Sequence, residues 1–264
     1  MEQKKNNLKI VTDKKGARMI LPNMLTLIGV CIGLTSIRFA LDGRYEFAII
    51  AIIFAALIDG LDGRIARLIK GTSKVGKELD SLTDVISFGV APGFIMYFWT
   101  LNQIGKLGWM LVLIYTVCCA LRLARFNLTT IEENESWKIN FFEGVPSPAA
   151  AGLVLLPLIL NLSGLIKLDN YALISSVAIL TTSILMVSKL PTYSLKRIVI
   201  PRNSTIFLLL GIGVYVSLLI FYIFKTLFLT GIVYLLLIPI SFFHFRIKNK
   251  KSFKSAIDED EDVL

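Results

Sequence analysis

Four aspartates are concentrated between residues 59 and 84, and they form two closely spaced pairs. Asp59 and Asp62 are three residues apart, and Asp80 and Asp84 are four residues apart. On α-helices these spacings place both members of a pair on one face. A carboxylate deep in a membrane helix costs about 2.5–3.5 kcal/mol on insertion scales, so four of them after an apolar run indicate compensation by bound cations. The stretch is therefore predicted to bind metal ions at a membrane surface.

The residues around the aspartates indicate what such a site would do. All-oxygen ligation favours Mg²⁺, Mn²⁺ or Ca²⁺ over zinc, and two divalent ions would balance four carboxylates. Gly63 and Gly76 let a bulky ligand approach the backbone, and the small side chain of Ala66 leaves the same helix face unobstructed. Arg67 supplies a planar donor pair suited to phosphate oxygens. Carboxylate-bound metals beside an arginine are typical of phosphoryl-transfer chemistry.

The elements that must position these residues are long apolar segments. The chain has 264 residues, is 55% hydrophobic and has a mean hydropathy of +0.71. Blocks of about 20 apolar residues predict an all-α integral membrane protein, a polytopic bundle of about eight transmembrane helices. In the first block, Thr26, Gly29 and Gly33 are interpreted as small residues that let helices approach closely. The predicted spans are 20–41, 46–67, 81–101, 107–127, 146–164, 169–188, 204–224 and 228–245.

The net charge of +9 reflects membrane topology and not a nucleic-acid partner. With eight spans, 23 of the 28 lysines and arginines fall on one side of the membrane. The positive-inside rule then places both termini and the aspartates in the cytoplasm, in a multi-pass protein of the cell (inner) membrane. Residues 1–19 are predicted to be a cytoplasmic basic tail or interfacial helix, and residues 247–264 a charged disordered tail. The five basic residues on the other side are Arg38, Arg44, Lys106, Lys167 and Lys225.

Eight residues of this stretch carry a family resemblance. They are Asp59, Asp62, Gly63, Ala66, Arg67, Gly76, Asp80 and Asp84, in the spacing D-x2-D-G-x2-A-R-x8-G-x3-D-x3-D. All eight match, and the pattern resembles the signature of the CDP-alcohol phosphatidyltransferase family. The resemblance implies a six-helix catalytic core over 20–190, followed by two additional transmembrane helices over 191–246. Family members transfer a phosphatidyl group from a CDP-linked lipid to an alcohol and release CMP.

The resemblance also implies roles for the matching residues. It assigns a site for two Mg²⁺ or Mn²⁺ ions to Asp59, Asp62, Asp80 and Asp84. It assigns the CDP site to Asp62, Gly63, Ala66, Arg67 and Gly76. Asp84 would in addition be the general base, because an ionised carboxylate beside an alcohol can take its proton as the oxygen attacks phosphorus.

Three further segments resemble the serine-accepting branch of the family. They read DSLTDVISFGVAP at 80–92, LRLARFN at 121–127 and GVPSPAAAG at 144–152. The expected reaction joins CDP-diacylglycerol and L-serine, with membrane lipids around the enzyme and, as is common in the family, a homodimer. Arg122, Arg125 and Asn127 are candidates for binding the acceptor or a phosphate. For the two arginines, an equally good interpretation is that they cap the end of a membrane span.

Several alternatives remain open at the level of sequence. The same chemistry would serve glycerol 3-phosphate, an inositol phosphate or another small alcohol as acceptor, or an archaeal ether lipid as donor. A cation transporter would also place acids within the membrane, but it would move ions without releasing CMP. A structural membrane scaffold would tolerate loss of the Asp84 carboxylate.

Overall fold

The structure is a computed structural model that describes residues 14–69, 74–128, 141–166, 169–193 and 204–261. Its first part contains α1 (Lys14–Leu41), α2 (Tyr45–Leu68), α3 (Lys74–Asp84), a π-helical segment (Val85–Val90), α4 (Ala91–Trp99), a 3-10 turn (Leu101–Ile104) and α5 (Lys106–Leu128). Its second part contains β1 (Phe141–Glu143), α6 (Ser147–Val154), α7 (Leu156–Ser163), α8 (Tyr171–Val187), β2 (Pro191–Tyr193), α9 (Thr205–Phe221) and α10 (Ile223–Glu261).

The predicted all-α polytopic membrane fold is confirmed. Four helical stretches of the described chain are long and apolar enough to cross a membrane: Ile20–Leu41, Val75–Trp99, Lys106–Leu128 and Ile223–Arg246. Two shorter apolar helices are α8 and α9. Helix α2 covers the predicted block 46–67, but its last turns carry Asp59, Asp62, Arg64 and Arg67, which lower its hydropathy. The only strands in the described residues are β1 and β2, which pair antiparallel over three residues each.

The predicted block 146–164 differs from a single span. It consists of two eight-residue helices, α6 and α7, separated at Leu155. Pro157 stands in the first turn of α7, where its missing N–H is tolerated. In a continuous helix the proline ring would clash with the carbonyl four residues earlier, so the chain starts a new helix instead.

The two ends of the chain meet the predictions differently. Of the predicted basic tail 1–19, residues 1–13 lie outside the described chain, and α1 begins at Lys14. At the other end, α10 continues through Glu261, whereas the sequence predicts a disordered tail over 247–264. That segment contains no glycine or proline. A helix already formed at Arg246 therefore extends through it without a new nucleation step.

The core holds α1, the π-helical segment and α5 in close contact, and this fixes the position of Asp84. Gly33 of α1 packs directly on Ser87, and an added Cβ there would collide with that side chain. The Tyr115 hydroxyl of α5 donates a 2.7 Å hydrogen bond to the Phe88 carbonyl. Because a π-turn does not pair its carbonyls in the α-helical pattern, this bond satisfies a buried acceptor. Asp84 is the last residue before this tightly packed segment.

Candidate active site

Three of the four aspartates come together where α2 and α3 approach each other. Asp59 and Asp62 from α2 and Asp80 from α3 each offer a carboxylate oxygen, and these oxygens all lie within 4.8 Å of one another. Asp62 is buried, with 3% of its surface exposed, and the other two are half-buried. Three like charges in a partly dehydrated site repel one another unless a cation lies between them. A set of hard oxygen donors at this spacing fits a divalent metal ion.

Thr26 of α1 orients one of these carboxylates. Its hydroxyl donates a 2.7 Å hydrogen bond to Asp62 Oδ2, and the threonine is buried. Residues that hold a metal-binding carboxylate in place tune the site nearly as strongly as the ligands themselves. The sequence interpretation of Thr26 as a helix-packing residue missed this contact. The contact joins residues 36 positions apart, so no local pattern could reveal it.

We expect Thr26→Val to weaken Mn²⁺ binding by about tenfold, because valine keeps the shape of the side chain but cannot hold Asp62 Oδ2. The measurement is a Mn²⁺ titration of the purified protein followed by electron paramagnetic resonance. Thr35→Val is the matched control, since the Thr35 hydroxyl on the same helix bonds only its own helix at the Cys31 carbonyl (2.6 Å) in the described contacts. Equal Mn²⁺ affinity in the two variants would contradict the role of Thr26.

Asp84 lies beside Asp59 but faces a second group of polar side chains. The Ser147 hydroxyl, at the start of α6, donates a 2.9 Å hydrogen bond to Asp84 Oδ2. Arg122 Nη1 of α5 donates to the Ser147 hydroxyl at 3.2 Å. Arg122, Ser147 and Asp84 therefore form a hydrogen-bonded chain that leads towards the three-aspartate cluster. Ser147 has no role in the sequence prediction, although the quoted segment GVPSPAAAG contains it.

This second group is not fully satisfied. Asp84 Oδ1 and Arg122 Nε are buried and have no hydrogen-bond partner in the part of the chain that the structure describes. A buried polar atom without a partner costs about 1–3 kcal/mol, and native proteins rarely leave one. Because only 7% of Arg122 is exposed, its charge is also largely dehydrated. An open acceptor and an open donor, on two side chains that Ser147 links, are suited to a small polar ligand.

The residues predicted to bind CDP line the ends of α2 and α3. On α2, Gly63 and Arg67 are exposed and Ala66 is half-buried; on α3, Gly76 is half-buried. A Cβ added at Gly63 would meet no atom within 4 Å. The backbone at Gly63, next to Asp62 in the sequence, is therefore unobstructed. The assignment of these four residues to CDP stays a prediction.

Arg125 and Asn127 make contacts that connect helices. Arg125 Nη1 and Nη2 donate to the carbonyls of Val187 and Ser188, at 2.8 and 3.3 Å. A cation at the C-terminal end of α8 satisfies open carbonyls and interacts well with the helix dipole. Asn127 Nδ2 donates to the Ser81 hydroxyl of α3 at 2.9 Å. Among the three predicted acceptor residues, Arg122 is the one whose described contacts lead to Asp84.

Comparison with known proteins gives consistent results. The sequence model of the family described as CDP-alcohol phosphatidyltransferase matches residues 19–188. A Mycobacterium leprae protein named CDP-diacylglycerol–serine O-phosphatidyltransferase is 39% identical over 185 residues, which are 70% of this chain and 61% of that protein. A Helicobacter pylori protein of the same name is 42% identical over 142 residues, which are 54% of this chain and 58% of that protein.

An archaeal protein with this name extends the comparison. It comes from Methanocaldococcus jannaschii and is 35% identical over 171 residues, which are 64% of this chain and 72% of that protein. The chain spans somewhat less than two thirds of the length of the bacterial relatives above.

Proposed function

The chain belongs to the CDP-alcohol phosphatidyltransferase family, and we propose that it transfers the phosphatidyl group of CDP-diacylglycerol to the hydroxyl of L-serine, giving phosphatidylserine and CMP. The main support for this proposal is the three-aspartate cluster, which lies next to Asp84. The choice of serine is supported by the name that the similar proteins share.

The reaction is a substitution at phosphorus. The serine hydroxyl oxygen attacks the phosphorus that carries diacylglycerol, and the bond from this phosphorus to the oxygen of CMP breaks. CMP leaves with the bonding electron pair, and the hydroxyl proton passes to Asp84. The open Asp84 Oδ1 is the oxygen available for this proton, because Oδ2 already accepts the bond from Ser147. A carboxylate in this position acts as a general base.

The remaining residues hold the donor. Asp59, Asp62 and Asp80 would bind Mg²⁺ or Mn²⁺, with Asp84 at the edge of a two-ion site, and Thr26 keeps Asp62 in position. When bound, such ions neutralise the diphosphate and stabilise the departing CMP oxygen. Gly63, Ala66 and Gly76 leave room for the nucleotide, and Arg67 supplies donors for a phosphate.

We also propose the arrangement of the enzyme in the cell. The catalytic core would comprise residues 20–190, with additional membrane helices over 191–246. The excess of lysine and arginine on one side supports a multi-pass protein of the inner membrane with both termini and the active site in the cytoplasm. A homodimer is expected, and light scattering of the detergent-solubilised protein would test it.

An acceptor comparison tests the proposed function. Purified protein in detergent is given CDP-diacylglycerol and Mn²⁺, and CMP release is measured with serine, glycerol 3-phosphate, inositol phosphate or no acceptor. We expect release only with serine. Release of CMP only with another alcohol would support the family's reaction but would show that serine is not the acceptor. Absence of release with every alcohol, together with Mn²⁺ uptake into proteoliposomes, would favour the cation transporter.

A further inference from the structure

Helix α10 lies outside residues 19–188, which match the family, yet it packs against the core. It contacts α7 and β2. At Gly231 it approaches α7 so closely that an added Cβ would collide with the Leu156 side chain. This close contact places the next turn of α10, which carries Tyr234, at a fixed position against the core.

Tyr234 brings a third open polar atom to the group around Asp84. Its hydroxyl is buried and has no hydrogen-bond partner among the described residues. The nearby Thr192 hydroxyl donates its proton to the Gly144 carbonyl at 2.8 Å, and no bond of good hydrogen-bonding geometry joins it to the tyrosine hydroxyl. Tyr234 is close enough to Arg122 for the guanidinium charge to act on its hydroxyl. A buried tyrosine hydroxyl normally has a partner, so its open state requires an explanation.

The three open atoms define the chemistry of a ligand. Asp84 Oδ1 can accept a hydrogen bond, whereas Arg122 Nε and the Tyr234 hydroxyl can each donate one. The guanidinium favours an anion on the donor side, and a carboxylate can accept bonds from both donors. A molecule with a hydroxyl at one end and a carboxylate a few bonds away carries the groups that these three atoms can bind. L-serine has this arrangement.

We propose that Tyr234 of α10, together with Arg122, binds the carboxylate of the acceptor and thereby determines specificity for serine. The inference rests on the proposed function and deepens it. In this arrangement, Asp84 takes the hydroxyl proton at one end of serine while Arg122 and Tyr234 hold the other end. The C-terminal helix outside the family match is then part of the acceptor site.

The test is Tyr234→Phe, which removes one oxygen and keeps the ring. We expect KM for serine to rise about tenfold, because a hydrogen bond to a charged group is lost, while KM for CDP-diacylglycerol stays the same. Transfer to serinol, which has no carboxylate, should be unaffected, so the preference for serine over serinol falls about tenfold. Tyr215→Phe is the control, since the Tyr215 hydroxyl is exposed on α9 and contacts Thr230 at 3.2 Å.

A thermal unfolding measurement separates recognition from a structural role. Because the Tyr234 hydroxyl makes no hydrogen bond in the described protein, Tyr234→Phe should unfold at the same temperature as the wild type. A lowered unfolding temperature, or an equal loss of activity with serine and serinol, would overturn the inference. An unchanged KM for serine would overturn it as well while leaving the proposed function intact. A wild-type protein that releases no CMP with serine would overturn both.

Discussion

Replacement of Asp84 by asparagine is expected to lower the rate of CMP release by about 10²- to 10⁴-fold, the usual contribution of a general base. Asparagine has the same shape and can still accept the bond from Ser147, but its amide cannot take the serine proton. Binding of Mn²⁺ at the three-aspartate cluster should persist, because the oxygens of Asp59, Asp62 and Asp80 meet without Asp84. The measurements are initial rates at saturating serine and a Mn²⁺ titration.

The control for this variant is Asp42→Asn, which removes an exposed carboxylate that pairs with Arg38 at 3.2 Å, away from the site. It should keep wild-type activity. If Asp84→Asn remained folded and retained more than a tenth of the activity, Asp84 would not be the base. If the variant lost Mn²⁺ binding, the main role of Asp84 would be that of a metal ligand. The lower rate could then not be assigned to proton transfer.

Replacement of Asp80 by asparagine is expected to weaken Mn²⁺ binding by about 100-fold or more and to lower activity in parallel. Loss of a residue that only orients a metal ligand lowers metal affinity about 10- to 100-fold. Loss of a ligand itself should therefore lower the affinity by about 100-fold or more. Asparagine keeps one oxygen but removes the negative charge that a divalent cation requires. Mn²⁺ titration and the metal dependence of CMP release measure the two effects.

Glu78→Gln is the matched control, because it removes an exposed carboxylate from the same helix two residues away. Glu78 is absent from the three-aspartate cluster in the described chain, and its removal should leave Mn²⁺ affinity unchanged. Raised Mn²⁺ should restore part of the activity of Asp80→Asn. Equal Mn²⁺ affinity in Asp80→Asn and Glu78→Gln would contradict the assignment of the cluster as a metal site.

The length of the apolar runs and the repeat of the α-helix account for most of what the sequence could predict. Every predicted span falls on helical structure in the described chain, with 146–164 divided into two helices, because about 20 apolar residues in a row leave few alternatives to a membrane helix. The spacing of Asp59 and Asp62 on α2 depends only on the helix repeat. Their approach to Asp80 requires the two helices to pack together, and the structure shows that packing.

The features that sequence reasoning missed depend on contacts between distant residues. The bond from Ser147 to Asp84 spans 63 positions, and Tyr234 packs against the core from α10, near the other end of the chain. The π-helical segment after Asp84 depends on packing against α1 and on the Tyr115 bond to its backbone. By contrast, the break between α6 and α7 had a local signal in Pro157, which a count of apolar residues overlooks.

Isotope transfer shows whether this site joins serine to a lipid phosphate. Purified protein is incubated with CDP-diacylglycerol, Mn²⁺ and labelled serine, and labelled phosphatidylserine and CMP are measured in the same sample. We expect one phosphatidylserine for each CMP, with both products abolished by a chelator. CMP without label in the lipid, or labelled lipid formed in the chelator, would contradict it.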